Sequence, residues 1–126
     1  MRYSLLLGLL TNPLILKPMP DQFNDQRKKR LEVYRSAIEK WGEKEQYLMA
    51  QEEATELALA VRKHTRKDSY QTYLDLVDEV ADMEIMIEQL KEMNKGRDMS
   101  AEVARRVHFK VNRLKTRVEK SDFNAN

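Results

Sequence analysis

The chain has 126 residues, of which 41% are hydrophobic and 35% charged, and it contains three glycines and three prolines. This profile predicts a single soluble, helix-rich domain rather than a sheet protein or a disordered chain. The 23 basic and 21 acidic residues nearly balance, so net charge does not favour nucleic acid as a partner. The absence of cysteine excludes disulfides, thiolate zinc sites and cysteine nucleophiles, and it is compatible with the cytoplasmic location that we expect.

Residues 1–22 are predicted to be an irregular extension, because prolines stand at positions 13, 18 and 20. The apolar run at 5–10 resembles a signal peptide superficially. It is shorter than the usual apolar region, Pro13 follows it, and no small-x-small cleavage site is present. It is also too short to cross a bilayer, so we expect no membrane partner. We expect the extension to pack on the domain or on a neighbouring subunit.

Helical periodicity predicts four main helices after the extension. They run from Asp21 or Asn24 to about Lys40, from Glu43 to about His64, from Tyr70 to Met93, and from a cap at Ser100 to about Lys120. Gly42 and Gly96 are the expected helix-ending residues. Short connections between long helices favour antiparallel neighbours, so the predicted fold is an all-α antiparallel bundle of four main helices. This domain covers residues 23–120, with 121–126 as a C-terminal tail.

The apolar positions of the middle two helices predict how they pack. The second helix has a shallow stripe that a neighbouring helix can approach closely, formed by Tyr47, Ala50, Ala54, Leu57 and Val61. The third helix is apolar around most of its circumference. We therefore expect it to be the central, buried helix.

Two acid pairs occur on these helices, Glu53 with Glu56 and Glu79 with Asp82. Residues three apart share a helix face, so each pair points its carboxylates one way. Halfway between the pairs lies the polar stretch 64–70, and a turn there would bring all four acids to one level. Four carboxylates held together repel unless a cation neutralises them, which predicts a metal site. The alternative is ordinary surface acids, because a bare E-x-x-E is common.

Oxygen-only ligands favour Mg²⁺ or Mn²⁺. A di-iron bundle would need Glu-x-x-His on two helices. Three residues before His64 and His108 stand Val61 and Arg105, so neither histidine completes that motif. Each histidine is expected at the surface or in a turn.

The run E-E-A-T-E at 52–56, followed by E-V-A-D at 79–82, resembles the E-E-x-x-E … E-x-x-D signature of MazG-like, all-α nucleoside triphosphate pyrophosphohydrolases. The flanking segments 40–53 and 79–90 are similar to the small single-domain members found in bacteria and phages. The resemblance covers about residues 30–118. The first twenty or so residues do not match the family pattern.

This resemblance implies Mg²⁺-dependent hydrolysis of an NTP or dNTP to the nucleoside monophosphate and pyrophosphate, with Mn²⁺ as a substitute. It implies that Glu53, Glu56, Glu79 and Asp82 are metal ligands. Glu52 and Glu53 would be catalytic, with Glu52 binding a second metal or helping to activate water. The family also implies a homodimer or tetramer.

Phosphates and a base need further contacts. For the phosphates we select Lys63, Lys110 and Arg113, whose alternative role is to be solvated cations on helix ends. Trp41 is the candidate for stacking on the base, and core packing is its alternative. The basic run at 27–30 lacks interleaved aromatics, which favours a solvated face. This run and the basic fourth helix motivate a different function, a non-catalytic helical module that binds nucleic acid or a protein partner.

Overall fold

The computed structural model describes residues 20–124. In that range it contains no strand and four main helices: α1 (Pro20–Trp41), α2 (Glu43–Arg66), α3 (Tyr70–Met93) and α4 (Met99–Asn124). A short 3₁₀ helix, Lys95–Arg97, connects the last two. The predicted all-α class with four main helices is confirmed. The irregular segment predicted at 1–22 lies outside the described residues up to position 19. Positions 20–22 are helical instead, because α1 begins at Pro20.

None of the described helices is long and apolar enough to cross a membrane. At the other end of the chain, α4 continues past Lys120 to Asn124, into the segment that we expected to be a tail.

Contacts divide the chain into two units, Met1–Val33 and Tyr34–Asn126. Between positions 22 and 33 the first unit is exposed except for Leu31, which is half-buried. The basic run at 27–30 lies in this exposed segment, where Lys29 pairs with Asp25 at 3.0 Å. The prediction that the basic run is exposed to solvent is therefore confirmed. The remaining residues of α1 belong to the second unit.

Helices α2 and α3 form an antiparallel hairpin, the one helix pair with extensive contacts in the described range. At its open end the Asn94 side-chain amide donates to the Tyr47 hydroxyl at 2.9 Å. At its closed end His64 Nδ1 lies 3.1 Å from Thr72 Oγ1. These contacts at both ends set which residues of α2 face which residues of α3. The turn predicted within 64–70 is confirmed.

Ser69 fixes the start of α3 with a reciprocal cap. Its hydroxyl accepts from the Thr72 backbone N–H at 3.2 Å, and its own N–H donates to Thr72 Oγ1 at 3.1 Å. The Thr72 hydroxyl also donates to the Lys67 carbonyl at 2.8 Å. Because the cap satisfies backbone donors that a helix start leaves free, it holds the turn at one length and so stabilises the register.

Small side chains let α2 and α3 approach closely. Ala50 and Ala60 are 8% and 5% exposed, and Met86 of α3 is 3% exposed. The predicted stripe on α2 is confirmed only in part: Ala50 is buried and Leu57 half-buried, whereas Tyr47, Ala54 and Val61 are exposed. The face of α2 that is covered lies further towards Gln46 and Ala60 than the predicted stripe. It is narrow because α3 is the one helix with extensive contacts to α2 in the described range.

The end of α1 is held against this hairpin by an ion pair and a buried ring. Arg35 Nε lies 2.7 Å from Glu92 Oε1, which Lys95 Nζ also approaches to 2.7 Å. Hydrogen bonds from Arg35 and Lys95 hold the pKa of Glu92 below its usual value. Tyr34 is buried one position before Arg35.

Three expectations about packing and caps are wrong. The prediction that α3 is central and buried fails away from α2, where Val77 and Val80 remain exposed, because α4 does not pack along α3 in the described range and contacts mainly the short 3₁₀ helix. Gly96 is not the helix-ending residue, since Asn94 ends α3 and the left-handed backbone falls at Asp98, with φ 52°. Ser100 lies inside α4, which begins at Met99. Gly42, with φ 89°, does separate α1 from α2 as predicted.

Replacing Ala50 with leucine should destabilise the hairpin, because Ala50 is buried on α2 and lines none of the cavities, so the larger side chain has no room there. We expect a loss of about 1–3 kcal/mol in the free energy of unfolding, measured by urea denaturation. Ala58→Leu is the matched control, since Ala58 is exposed on the same helix. Equal stability of the two variants would contradict close packing at Ala50.

Candidate functional site

The hairpin brings three of the four predicted metal ligands together. Glu53 of α2 and Glu79 and Asp82 of α3 each offer one carboxylate oxygen, and these oxygens all lie within 4.8 Å of one another. Glu53 and Glu79 are half-buried and Asp82 is exposed. The antiparallel register therefore brings together three of the four acids that were predicted to meet at one level, and Glu56 is not among them.

Glu56 lies one turn along α2 and belongs to an adjoining cavity rather than to the three-carboxylate cluster. The cavity has a volume of about 150 Å³, which is room for several water molecules. Its lining is mainly charged and consists of Glu56, Leu59, Ala60, Lys63, Asp75, Asp78 and Glu79. Glu79 is shared by the cluster and the cavity, so the two form one continuous acidic site.

The acids of the site raise each other's proton affinity. Burial, followed by the charges of Asp82, Glu79, Glu52 and Glu56, raises the pKa of Glu53 above its usual value. Burial, followed by the charges of Glu56, Asp82, Asp78 and Asp75, raises the pKa of Glu79. Both shifts mean that the ionised cluster is electrostatically unfavourable in the fold until positive charge is supplied.

The donor set fits a hard divalent cation. Neighbouring oxygens on an octahedral Mg²⁺ lie about 3 Å apart and opposite ones about 4.2 Å, so oxygens within 4.8 Å of one another would have to draw together to share one ion. All three donors are carboxylates, which favours Mg²⁺ or Mn²⁺ over metals that prefer nitrogen or sulfur. His64 is engaged elsewhere, with Thr72 at 3.1 Å and Asp68 at 3.8 Å.

Of the other predicted site residues, some lie at the acidic site and others lie away from it. Glu52 is exposed beside Glu53 and acts on it through its charge. Lys63 lines the cavity, as its selection for phosphate contact requires. Lys110 and Arg113 lie exposed on α4, and no contact within the described part of the chain brings them to the acids.

Trp41 ends α1 and is 58% exposed, with Lys40 Nζ 5.5 Å from the centre of its ring. The alternative of core packing is therefore wrong for this side chain. Its indole is accessible for contact with another molecule, and its role in base binding stays a prediction.

Two acids that were not selected as site residues, Asp75 and Asp78, also line the cavity. Asp75 accepts a hydrogen bond from the Gln71 amide at 2.8 Å. Asp75, Glu79 and Asp82 follow the three-to-four-residue spacing of a helix face, so the sequence contained a signal for Asp75. Asp78 stands three residues after Asp75 and four before Asp82, so the same spacing was a signal for Asp78 as well.

No protein-family model, curated protein or solved structure matches the chain. The resemblance to MazG-like enzymes therefore rests on the motif residues at 52–56 and 79–82 and on their flanking segments. Any function has to be argued from the chemistry of the carboxylates.

The stability of the cation-free protein should depend on pH through Glu53 and Glu79. A carboxyl whose pKa is higher in the folded than in the unfolded chain favours the fold when protonated. The free energy of unfolding should therefore fall as the pH rises from the ordinary glutamate value of 4.5 through the raised pKa of each group. The pKa of Glu92 is lowered instead, so its contribution to stability is lost only when the pH falls below the ordinary value of 4.5.

Chemical denaturation across this pH range measures the effect. The double variant Glu53→Gln with Glu79→Gln should show a flatter dependence, whereas Glu45→Gln, an exposed acid near the start of α2, should follow the unmodified chain. An identical slope in all three proteins would show that the cluster is not electrostatically strained.

Proposed function

We propose that the chain is a Mg²⁺-dependent nucleoside triphosphate pyrophosphohydrolase, which cleaves an NTP or dNTP to the monophosphate and pyrophosphate. The observation that carries the proposal is the convergence of Glu53, Glu79 and Asp82 from two helices. These residues are three of the acids that the MazG-like motif identifies as ligands.

Each residue of the site has a role in the proposal. Glu53, Glu79 and Asp82 hold the cation, and Glu56 extends the ligand set towards the cavity. When bound, Mg²⁺ would neutralise phosphate oxygens and orient a water molecule. The neighbouring carboxylate of Glu52, exposed beside Glu53, would accept a proton from the attacking water.

The reaction balances without any oxidant or further co-substrate. A water oxygen forms the new bond to the α-phosphorus, and the bond between the α-phosphorus and the oxygen bridging to the β-phosphate breaks. The leaving group is pyrophosphate, and Lys63 at the cavity would offset part of its negative charge. The proposal includes the homodimer or tetramer and the cytoplasmic location that we expect from the sequence.

The direct test is pyrophosphate release from a panel of NTPs and dNTPs with Mg²⁺ or Mn²⁺. Glu53→Gln and Asp82→Asn should each lower kcat/KM on the order of 100-fold, because they remove a ligand charge. The matched control is Glu45→Gln, which removes an exposed acid of the same helix outside the site. The two ligand variants should also lose the rise in Tm that Mg²⁺ with a non-hydrolysable dNTP produces.

Absence of pyrophosphate release and of any Tm response in every nucleotide–metal combination would refute the enzyme. DNA or RNA binding under those conditions would favour the non-catalytic module instead.

Lys63→Gln should raise KM about tenfold or more while changing kcat less, because it removes a charge-assisted contact to phosphate and no metal ligand. Steady-state kinetics on the preferred nucleotide measures both constants. Lys67→Gln is the control, since Lys67 is exposed just beyond α2 and does not line the cavity. Equal kinetics of the two variants would remove Lys63 from the substrate site.

A further inference from the structure

The last two turns of α1, residues 34–41, lie beside the hairpin and are held there by few interactions. We call this segment the α1 arm. In the described range, α1 makes no extensive contact with α2, α3 or α4. Tyr34 at the start of the arm is 5% exposed, and Arg35 Nε lies 2.7 Å from Glu92 Oε1 of α3. The place of the arm therefore depends mainly on one ring and one ion pair.

A cavity of about 230 Å³ separates part of the arm from the hairpin. Its walls include Arg35, Ile38 and Glu39 of the arm, and Glu92 and Met93 of α3. Well-packed protein interiors contain few voids larger than a water molecule, so two helices that pack along each other leave no space of this size between them. The arm is therefore tethered beside the hairpin rather than packed along it, and it has room to move.

The connection between α1 and α2 has the properties of a hinge. Gly42 is its single residue, with φ 89° and ψ 156°, and no side chain caps the start of α2. A Cβ added at Gly42 would meet no other atom within 4 Å, so the surrounding structure does not confine this residue. The turn between α2 and α3 is different, since the cap of Ser69 and Thr72 fixes it. Because glycine adopts many backbone conformations, a rotation at Gly42 can change the direction of the arm.

Glu92 is paired with two cations, and this arrangement lowers the cost of releasing the arm. Lys95 Nζ also lies 2.7 Å from Glu92 Oε1, and Lys95 belongs to the 3₁₀ helix rather than to the arm. The Glu92 side chain is 9% exposed, so this carboxylate would be costly without a partner. Because Lys95 stays in place when Arg35 leaves, Glu92 keeps a neutralising charge in both positions of the arm. Arg35 is already 53% exposed and is hydrated once it is released.

We propose that the α1 arm pivots at Gly42 and that the Arg35–Glu92 ion pair is the latch that docks it on the hairpin. The arm ends in Trp41, so the latch also sets the direction in which this exposed indole points. Arg35 and Glu92 are therefore positioning residues that act through Trp41. Their effect on binding of a nucleotide base rests on the proposed function, whereas the arm and its latch do not.

A static ion cluster that only stabilises the fold is the alternative, and Lys95 distinguishes it from a latch. In a static cluster, loss of either cation would loosen the structure around Glu92. In a latch, loss of Lys95 leaves Glu92 dependent on Arg35 alone, so the arm is held more tightly. Loss of Arg35 releases the arm. The two cations therefore have opposite effects on the arm only if Glu92 exchanges one partner for two.

Amide hydrogen exchange of the full chain, without nucleotide or metal, tests the arm. Arg35→Gln should speed exchange within residues 34–42 by about fivefold or more, because the docked position loses its ion pair. Lys95→Gln should slow exchange in the same segment. Arg35→Lys should keep part of the protection, since an ammonium group can still pair with Glu92. Arg27→Gln is the matched control, because Arg27 is exposed on the same helix and does not line the cavity, and it should change nothing.

Trp41 is the only tryptophan of the chain, so its fluorescence gives a second readout of the arm. Arg35→Gln and Glu92→Gln should each increase the fast component of the Trp41 anisotropy decay, because the released arm reorients more freely. Lys95→Gln should decrease it. Circular dichroism should show the same helix content in all three variants, which separates release of the arm from unfolding.

Steady-state kinetics tests the positioning of Trp41. Arg35→Gln should raise KM for the preferred nucleotide on the order of threefold with little change in kcat, because it alters binding of the base and no metal ligand. In a chain that already carries Trp41→Ala, the same substitution should give no further rise, since Arg35 acts through Trp41. A further rise of the same size would overturn this role.

Two outcomes of the exchange experiment would overturn the arm and its latch. One is equal exchange within residues 34–42 in Arg35→Gln and Arg27→Gln. The other is faster exchange in Lys95→Gln, which is the behaviour of a static cluster. If no nucleotide releases pyrophosphate, the proposed function fails, and hydrogen exchange and Trp41 fluorescence still decide whether the arm pivots.

Discussion

The register of α2 against α3 is the constraint on which the rest of the described structure depends. Ser69 and Thr72 fix the turn through their reciprocal cap, and the Tyr47–Asn94 hydrogen bond fixes the open end. The alanines between the helices allow the backbones to approach closely enough for short carboxylate side chains to meet. A change in the length of the turn would rotate α3 relative to α2, and Glu53 would then face a different part of α3.

The same register determines the electrostatics of the site. Glu53 is half-buried with its charge directed towards Glu79 and Asp82, so the hairpin collects negative charge along one edge. Burial raises the proton affinity of Glu53 and Glu79 first, and the neighbouring carboxylates add to the shift. A cluster of carboxylates is stabilised when a positive charge lies beside it. Carboxylate oxygens are the ligands that hard divalent cations prefer. The ion pair of Arg35 with Glu92 shows the opposite solution, in which the compensating charge comes from the chain itself.

Much of the fold followed from local sequence signals. Gly42, the polar stretch 64–70 and the apolar periodicity predicted the helices and their order, because helix ends and amphipathic faces are encoded within a few residues. The caps beyond α3 were predicted wrongly, since Asp98 rather than a glycine adopts the left-handed conformation. Asp78 was missed as a cavity residue although its spacing from Asp75 and Asp82 is that of one helix face. The roles of Lys110 and Arg113 at the site remain predictions, since α4 lies away from the acids within the described chain.

The sequence by itself determined the helices, the direction in which α2 and α3 run, and the presence of four acids on two facing surfaces. These properties depend on backbone preferences and on residue spacing along one helix. The tertiary structure decided which three carboxylates converge, that Lys63 and two further acids line the cavity next to Glu79, and that α3 and α4 each keep an apolar face uncovered within the described residues. Periodicity shows that a helix has an apolar face, but only the packing of the chain shows whether another helix of the same chain covers it.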